Sequence, residues 1–345
     1  MAARKYSVAV VGIGIVGREL LRILEQRDFP IKSLKVLARS ARDEKLEGRT
    51  VKVAQATVEA FEGVELALFA GSDEAESHVG WDAVRAHHTL VIDNGSAYRL
   101  YPNVPLVVPE VNSGALENHE GLIANPNCST IQMVVPLKPL HDRARIKRIV
   151  VCTYQAVSGK GGAPVSQLDA EVQAIGRGEP LPSPAAGFKE TIAGNVLSLD
   201  WAVEHEGYTK EEVKMVRETR KILDDDTIQV SVTCARVPVR NTHSEAVNVE
   251  CHDPLSAEEA TNILCSPDWQ PYIEVWQEDC PSPLRVTGTD KVHVGRIRAD
   301  RSVPHGLNMW VVADNIRKGA ALNAVQIAEA MVARGLVEKW LARER

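Results

Sequence analysis

A glycine-rich turn near the start of the chain constrains the fold more than any other feature of the sequence. Gly12, Gly14 and Gly17 form a G-x-G-x-x-G pattern between a short apolar run at 7–11 and a segment with helical spacing at 18–27. Glycines allow a tight turn and close backbone approach, and a helix N-terminus offers N–H groups and a positive dipole end to a pyrophosphate. A glycine-rich turn without a ligand is the alternative, but the strand–turn–helix context favours dinucleotide binding.

Short apolar runs alternate with helical segments in the first third of the chain. They predict strands at residues 7–11, 34–38, 66–70, 90–93 and 104–108. Strands that alternate with helices are typical of a parallel, doubly wound sheet. The fold class that we predict for this part is therefore α/β with a Rossmann-type sheet.

The sequence changes after about residue 130 to longer runs rich in β-branched residues. These runs predict strands of a mixed or antiparallel sheet at residues 146–155, 227–239, 247–251 and 291–298. Residues 158–190 are rich in Gly, Pro and Ser and predict an irregular segment, whereas residues 320–341 predict one amphipathic helix. A chain of 345 residues exceeds the usual size of a single core, so we expect two domains.

The composition is that of a globular enzyme, with 44% hydrophobic and 25% charged residues. The net charge of −6 argues against a nucleic-acid or anionic-membrane partner, and no apolar run has the length of a membrane helix. The six cysteines contain no C-x-x-C pair, which disfavours a metal or redox motif. Without a recognisable secretory signal, we expect free thiols in a cytoplasmic protein.

The end of the second predicted strand selects the cofactor. NAD enzymes usually place a carboxylate there to accept a hydrogen bond from the ribose 2′-hydroxyl. Here Arg39, Ser40 and Arg42 follow the strand, and the first carboxylate is Asp43. Two arginines and a serine suit a 2′-phosphate, so we predict NADP. The alternative is a solvated basic loop.

Cys128 is the best candidate for a nucleophile. An Asn-Pro turn precedes it and an apolar run follows, so we predict a helix that starts at or just after Cys128. A thiol at a helix N-terminus lies in a positive field that favours the thiolate. Cys152 and Cys234 instead fall in strand-like runs, where a thiol acts as a small hydrophobic group.

Three polar residues further on could complete a site. Gln155 ends a predicted strand, and Arg236 and His243 are seven positions apart. An arginine can hold a carboxylate with two parallel hydrogen bonds, and a histidine can move protons near neutral pH. A histidine chosen from ten is more often structural, so the local pattern leaves both possibilities open.

At these residues the chain closely resembles the aspartate-β-semialdehyde dehydrogenase family, nearly from end to end. The strings that carry the resemblance are residues 93–99, 108–112, 125–130, 153–159, 207–215, 236–245 and 310–319. Several such strings in the right order are far more specific than any one motif.

The resemblance implies a role for each candidate residue. Cys128 is the acyl-thioester nucleophile, Gln155 orients the substrate, and His243 is the acid/base. The implied substrate-binding residues are Arg236 for the α-carboxylate, Glu211 for the amino group, Arg99 and Lys214 for phosphate, and Asn127. The implied cofactor-binding residues are Gly12, Gly14, Ile15, Val16, Gly17, Arg39, Ser40, Ser72, Ser158, Gly159 and Asn315.

The resemblance also implies an architecture and a reaction. It implies a cofactor domain at residues 1–130, rejoined by a helix at about 320–345, and a catalytic and dimerisation domain at 131–319 like that of glyceraldehyde-phosphate dehydrogenase. We expect a homodimer, with a homotetramer as the alternative. The implied reaction is the reversible NADPH-dependent reduction of 4-phospho-L-aspartate to L-aspartate 4-semialdehyde and phosphate, in the biosynthesis of lysine, threonine, methionine and isoleucine.

Three features depart from the family pattern. The glycine turn is one residue shorter than the usual G-x-x-G-x-x-G, which leaves the details of the phosphate contact open. Gly95 replaces a common serine and is expected to loosen its loop. Pro136 falls inside the helix expected after Cys128, where it removes a backbone hydrogen bond and can cause a kink.

Three other functions compete with this interpretation. N-acetyl-γ-glutamyl-phosphate reductase performs the same chemistry on an acetylated substrate, which has no amino group for Glu211 to bind. A glyceraldehyde-phosphate dehydrogenase is disfavoured by the basic residues after the second strand. A non-catalytic relative is disfavoured by the joint presence of Cys128, Gln155, Arg236 and His243.

Overall fold

The computed structural model describes residues 4–46, 48–71 and 74–343 of the chain. The chain divides into two compact units, which are described one at a time below. The first unit consists of Met1–Pro126 and Ala320–Arg345, and the second of Asn127–Gly319.

The secondary-structure elements are numbered in chain order. The strands are β1 (Tyr6–Val11), β2 (Ile31–Ala38), β3 (Arg42–Leu46), β4 (Arg49–Gln55), β5 (Leu66–Phe69), β6 (Leu90–Asp93), β7 (Leu122–Ala124), β8 (Ile146–Gln155), β9 (Val203–His205), β10 (Tyr208–Thr209), β11 (Gln229–Arg236), β12 (His243–Cys251), β13 (Ile273–Trp276), β14 (Val292–Asp300) and β15 (Gly306–Ala313). The helices are α1 (Ile15–Gln26), α2 (Glu74–His87), α3 (Pro109–Asn112), α4 (Cys128–Ala144), α5 (Gly162–Arg177), α6 (Lys210–Leu223), α7 (Ala257–Leu264), α8 (Pro283–Val286), α9 (Leu322–Ala333) and α10 (Leu336–Leu341).

The first unit is built on a seven-stranded sheet with the order β3-β4-β2-β1-β5-β6-β7. All neighbours in it are parallel except β3 and β4, which form an antiparallel hairpin. Strands β5 and β6 are buried along their whole length, as expected for parallel strands covered on both faces. The predicted doubly wound parallel sheet is confirmed.

Three details at the sides of this sheet differ from the prediction. The first is the edge strand β7, which was not predicted. Residues 104–108 are buried but do not form a strand; they meet β7 only through an isolated bridge between Leu106 and Ala124. Pro105 has no N–H to give to a ladder, which limits this pairing. The fifth predicted strand was therefore wrong. The β3–β4 hairpin was missed because its residues are mostly charged or exposed.

The second unit is built on a six-stranded mixed sheet with the order β11-β8-β12-β15-β14-β13. Strand β8 is parallel to β11 and antiparallel to β12, and β15 is antiparallel to both β12 and β14. The predicted strand at 146–155 is confirmed by β8 in full. The run at 227–239 gives the shorter β11, and β12 begins four residues before the predicted run at 247–251.

The prediction of an irregular segment at 158–190 was wrong for its middle part, which is helix α5. Pro164 lies in the first turn of this helix, where its missing N–H has no intrahelical partner to lose. Leu168 then packs into a small core with Phe188 and Ile192. Gly178 adopts the left-handed conformation that ends the helix.

The C-terminal segment is two helices and not the single amphipathic helix that the spacing predicts. Gly335 has a φ of 64° between α9 and α10, a conformation that favours glycine and interrupts the helix. Most side chains in the first two turns of α9 are buried, including Asn323. The segment is therefore a core helix followed by a short second one.

Helix α4 starts the second unit and runs for 17 residues through Pro136 and Pro139. Each proline leaves one carbonyl without its helical partner, yet the helix is not broken at Pro136. Twelve of its 17 residues are buried, so tertiary packing maintains it. Within the described ranges, none of the helices combines the length and the apolar character that crossing a membrane requires.

Candidate active site

Cys128 is the first residue of α4, which confirms the predicted helix start. Asn127 caps the helix, because its Oδ1 accepts hydrogen bonds from the backbone N–H groups of Ser129 at 3.0 Å and Thr130 at 3.2 Å. The cap fixes the first turn and therefore the direction in which the Cys128 side chain leaves the helix.

Two buried carboxylates on α6 accept hydrogen bonds from Asn127. Glu218 Oε2 accepts from the Asn127 backbone N–H at 2.6 Å, and Glu211 Oε1 accepts from Asn127 Nδ2 at 2.7 Å. Glu211 Oε1 also receives Gln155 Nε2 at 3.4 Å, while its Oε2 is 3.4 Å from Lys214 Nζ. Glu211 and Lys214 share one helix face, as their spacing predicts. Glu218 was not identified from the sequence.

The mixed sheet brings three of the predicted residues to one edge. Strands β8 and β11 are parallel, and their last residues, Gln155 and Arg236, lie opposite each other. Strand β12 runs antiparallel to β8, so its first residue, His243, lies at the same edge. All three side chains are at most 1% exposed. The directions of these strands therefore bring Gln155, Arg236 and His243 to the same edge although they are distant in sequence.

Cys128 and His243 form a pair with 3.3 Å between Sγ and Nε2. The other ring nitrogen, Nδ1, accepts a hydrogen bond from the backbone N–H of Ala156 at 3.0 Å. A backbone N–H can only donate, so Nδ1 carries no proton and the neutral ring carries it on Nε2. Burial, and then the positive charge of Arg236, hold the pKa of His243 well below its usual range. The imidazole is therefore neutral and points an N–H at the sulfur.

Two glycines keep space open around this pair. A Cβ at Gly159 would lie 3.1 Å from Arg236 Nη1 and 3.3 Å from His243 Nε2. A Cβ at Gly319 would lie only 2.9 Å from Cys128 Cβ. Gly159 was predicted as a cofactor residue, whereas Gly319 was missed although it ends one of the strings that carry the resemblance.

Ser158 and Asn315, two further predicted cofactor residues, are in direct contact. Asn315 Nδ2 and Ser158 Oγ are 3.0 Å apart, and Asn315 Oδ1 accepts from the Thr242 backbone N–H at 2.8 Å. Ser158 lies in the turn after β8, and Asn315 follows β15. The second unit thus groups them at the same edge of the sheet as Gln155 and His243.

The predicted glycine turn lies in the first unit between β1 and α1. Gly12 has a φ of 88°, and a Cβ at Gly17 would lie 1.9 Å from the carbonyl oxygen of Gly12. Gly14 is the N-cap of α1, has no side-chain cap and has open space where a Cβ would be. Ile15 and Val16 form the first turn of the helix. The shortened turn thus retains the backbone features that suit a phosphate group.

The basic segment after β2 contains a carboxylate that the prediction did not count. Glu44 accepts hydrogen bonds from Arg42 Nε at 3.0 Å and Arg18 Nη2 at 2.6 Å. These bonds, with Arg42 first, lower the pKa of Glu44. Arg39 and Ser40 are exposed immediately after β2. Predicted residue Ser72 lies outside the described residues.

Arg99 also lies in the first unit and is buried. Its Nη2 donates to the carbonyl oxygen of Asn94 at 2.7 Å, in the loop that follows β6. The Gly95 N–H donates to Asp93 Oδ1 at 2.7 Å within the same loop. The loop with the Gly95 departure is thus tied by internal hydrogen bonds.

Two of the other cysteines, Cys234 and Cys251, are more deeply buried than Cys128. The six cysteines all lie within the described residues and form no disulfide. Burial raises the pKa of the Cys234 thiol above its usual range and raises that of Cys251 to about 11, which leaves both thiols protonated. Among the residues that the structure describes, no group of three or more His, Cys, Asp or Glu side chains could hold a metal ion.

The chain is a semialdehyde dehydrogenase by class: one unit contains a parallel sheet of the nucleotide-binding type, and in the other Cys128 at the start of α4 contacts His243 of a mixed sheet. Residues 7–119 match the family model for the semialdehyde dehydrogenase NAD binding domain, and residues 137–318 match the model for the semialdehyde dehydrogenase dimerisation domain. The chain belongs to the aspartate-semialdehyde dehydrogenase family.

Relatives from distant bacteria match the chain over nearly its whole length. The aspartate-semialdehyde dehydrogenase of Aquifex aeolicus is 47% identical, over 96% of this chain and 99% of the relative. The Bacillus subtilis enzyme is 41% identical, over 97% of this chain and 99% of the relative. The crystal structure of aspartate semialdehyde dehydrogenase II from Vibrio cholerae in complex with ASA has a TM-score of 0.90 and 43% identity, and the match covers 96% of this chain and 99% of that one.

Proposed function

We propose that this chain catalyses the reversible reduction of 4-phospho-L-aspartate to L-aspartate 4-semialdehyde and phosphate through a thioester on Cys128. The observation that carries the proposal is the 3.3 Å contact between Cys128 Sγ and His243 Nε2 at the start of α4. The full-length similarity to aspartate-semialdehyde dehydrogenases supports this substrate over an acetylated glutamyl phosphate.

The roles of the reacting residues follow from their positions. The Cys128 thiolate attacks the acyl carbon, phosphate leaves, and a thioester forms on Sγ. When bound, NADPH would supply the hydride needed to reduce this thioester. The reduced thioester is the alkoxide of a thiohemiacetal on Sγ, which then collapses to the aldehyde and the thiolate. His243 Nε2–H donates a hydrogen bond to the atom that carries the negative charge in these steps. This donation is the acid part of the acid/base role that we propose for His243.

The charges of the site match the groups of the substrate. Arg236 binds the α-carboxylate and Glu211 the α-amino group, while Arg99 and Lys214 bind phosphate. Gln155 is held between Thr153 Oγ1 at 3.3 Å and Glu211 Oε1 at 3.4 Å, which supports its role in orienting the substrate. Asn127 links Glu211 to the helix that carries the nucleophile.

We assign cofactor binding to the first unit, and catalysis and dimerisation to the second. The Gly12–Gly17 turn would hold the pyrophosphate at the N-terminus of α1. Arg39 and Ser40 would contact the 2′-phosphate and select NADP over NAD, and Ser158, Gly159 and Asn315 of the second unit would also contact the cofactor. The dimerisation-domain match supports a homo-oligomer, which we propose is a homodimer. A biosynthetic role would place the enzyme in the cytoplasm.

The test is phosphate-dependent reduction of NADP with L-aspartate 4-semialdehyde, with N-acetylglutamate semialdehyde and NAD as controls. We expect turnover with the first aldehyde and a strong preference for NADP. Cys128→Ala should abolish turnover while NADP binding, followed by fluorescence titration, is retained. Cys251→Ala is the matched control, because it removes a buried thiol from the same unit, at the opposite end of β12 from His243, and should retain turnover. Substantial turnover by Cys128→Ala, or none by the unmodified enzyme, would contradict the proposal.

A further inference from the structure

A second layer of charged side chains surrounds Arg236. Arg236 Nε donates to Asp200 Oδ2 at 2.8 Å, and Arg236 Nη1 donates to the carbonyl oxygen of Ala156 at 2.6 Å. The other oxygen of Asp200, Oδ1, is 2.6 Å from Lys160 Nζ. The side chains of Arg236 and Asp200 are 1% and 3% exposed, so this is a buried ion pair and not a surface contact.

The chain segment that carries Asp200 is anchored at Arg236 itself. Leu197 and Arg236 exchange two backbone hydrogen bonds, at 2.8 Å and 2.9 Å. Three residues later, Asp200 reaches the side chain of the same arginine. Glu171 Oε2 holds the beginning of this segment through the backbone N–H groups of Ile192 and Ala193. Hydrogen bonds from the main chain at residues 192, 193 and 197 therefore anchor the segment that leads to Asp200.

The bonds to Arg236 leave one side of its guanidinium group available. Asp200 accepts only from Nε, because its second oxygen is used by Lys160. Among the residues that the structure describes, Arg236 Nη2 has no hydrogen-bond acceptor. Trp201 covers the group from one face, with 4.6 Å between Arg236 Cζ and the ring centroid. Orientation is thus set through Nε and Nη1, while N–H groups on Nη1 and Nη2 can form the parallel pair that a carboxylate accepts.

Lys160 also sets the charge of the cluster. With Asp200 alone, the positive charge of Arg236 would be neutralised and its attraction for an anion reduced. Lys160 adds a second cation, so the three side chains together carry one net positive charge. A substrate carboxylate would bring the cluster to neutrality, which favours its binding in a buried site.

We propose that Asp200 is a positioning residue that, with Lys160, presents Arg236 to the α-carboxylate of the substrate. This proposal rests on the proposed function, in which Arg236 binds that carboxylate. Asp200 touches neither substrate nor cofactor and acts through the orientation of Arg236. The opposite possibility is that Asp200 imitates the substrate carboxylate and competes with it for Arg236.

The experiment compares Asp200→Ala with the unmodified enzyme in the phosphate-dependent oxidation of L-aspartate 4-semialdehyde. We expect the KM for the semialdehyde to rise about tenfold to a hundredfold, the range of a charged hydrogen bond. The KM values for phosphate and NADP should stay within about twofold, because neither ligand depends on Arg236. Lys160→Met should raise the KM for the semialdehyde in the same selective way. Asp169→Ala is the matched control, because it breaks the exposed ion pair with Arg240 in the same unit and should leave all three values unchanged.

Each result decides the proposal. A selective rise in the KM for the semialdehyde supports positioning. A fall in that KM in Asp200→Ala would show that Asp200 competes with the substrate, and a parallel rise in all three KM values would show general damage to the site; either overturns the proposal. Failure of the unmodified enzyme to oxidise the semialdehyde would refute the proposed function instead, so the two failures are distinguishable.

Discussion

The replacement Gly319→Ala tests how closely the nucleophile is positioned. The new Cβ would lie 2.9 Å from Cys128 Cβ and 3.4 Å from Cys128 Cα. Carbon atoms in contact are normally separated by about 3.5–4.0 Å, so the closer pair must separate by about 0.6–1.1 Å. Cys128 Cβ is bonded to the backbone of α4, and no rotation of a side chain can relieve the overlap. The shift must therefore move the nucleophile or the backbone at 319.

A shift of this size has a predictable effect on catalysis. Misplacement of a reacting group by about 1 Å can lower a rate about a hundredfold. We expect kcat to fall about tenfold to a hundredfold, which corresponds to about 1.4–2.7 kcal/mol in the activation free energy. Overpacking should also lower the free energy of unfolding by about 1–3 kcal/mol. The Kd for NADP should change little if only the thiol is displaced.

The assay is phosphate-dependent NADP reduction, together with the rate of Cys128 alkylation by iodoacetamide and the denaturant midpoint. Gly176→Ala is the matched control, because Gly176 lies inside α5 with open space where a Cβ would be. Removing a glycine from a helix should stabilise that variant by about 0.5–1 kcal/mol and leave kcat unchanged. A kcat for Gly319→Ala within about twofold of the unmodified enzyme would refute the reasoning, since it would show that the site absorbs the overlap.

Two further predictions concern the first unit. Arg39→Ala should raise the KM for NADP about tenfold to a hundredfold, with little change in the KM for NAD; steady-state kinetics with both cofactors checks this, and equal effects on both would contradict selection by the 2′-phosphate. Burial, followed by the charges of Arg343 and Lys339, lowers the pKa of His119 to about 4. The unfolded chain therefore binds a proton that the folded chain does not, so stability should fall as the pH falls from about 6.5 to about 4, by about 3 kcal/mol in total. Urea unfolding at pH 7 and pH 5 should show a smaller pH dependence for His119→Gln, and identical dependence in both proteins would contradict the assignment.

Local sequence patterns correctly predicted those parts of the fold whose structure is determined by residues close together in sequence. The strand–turn–helix at Gly12, the whole of β8 and the helix start at Cys128 were all readable from apolar runs, glycine and the Asn-Pro turn. The pattern failed where tertiary contacts override composition. Helix α5 was missed because glycine, proline and serine obscured its apolar spacing, and its stability comes from packing against Phe188 and Ile192.

The residues of the candidate site also divide into those that the sequence identifies and those that only tertiary contacts reveal. Cys128, Gln155, Arg236 and His243 could be named because each belongs to a string that resembles a known family. Asp200 and Glu218 carry no local signal, since each acts through a partner that is 36 or 91 positions away in sequence. Only strand order and helix packing bring these carboxylates to the arginine and to the helix cap, so a reading of the sequence alone had no basis on which to choose them.

The hydrogen bond from the Ala156 N–H to His243 has a consequence for evolution. A side-chain group in that place could be lost by one substitution, and the imidazole could then turn its lone pair towards the sulfur. Every amino acid except proline supplies this main-chain N–H. Substitutions at position 156 other than proline therefore retain the hydrogen bond to His243 Nδ1 and keep the proton on Nε2. Substitutions in the substrate pocket can therefore change substrate binding while the Nε2–H of His243 still points at the sulfur.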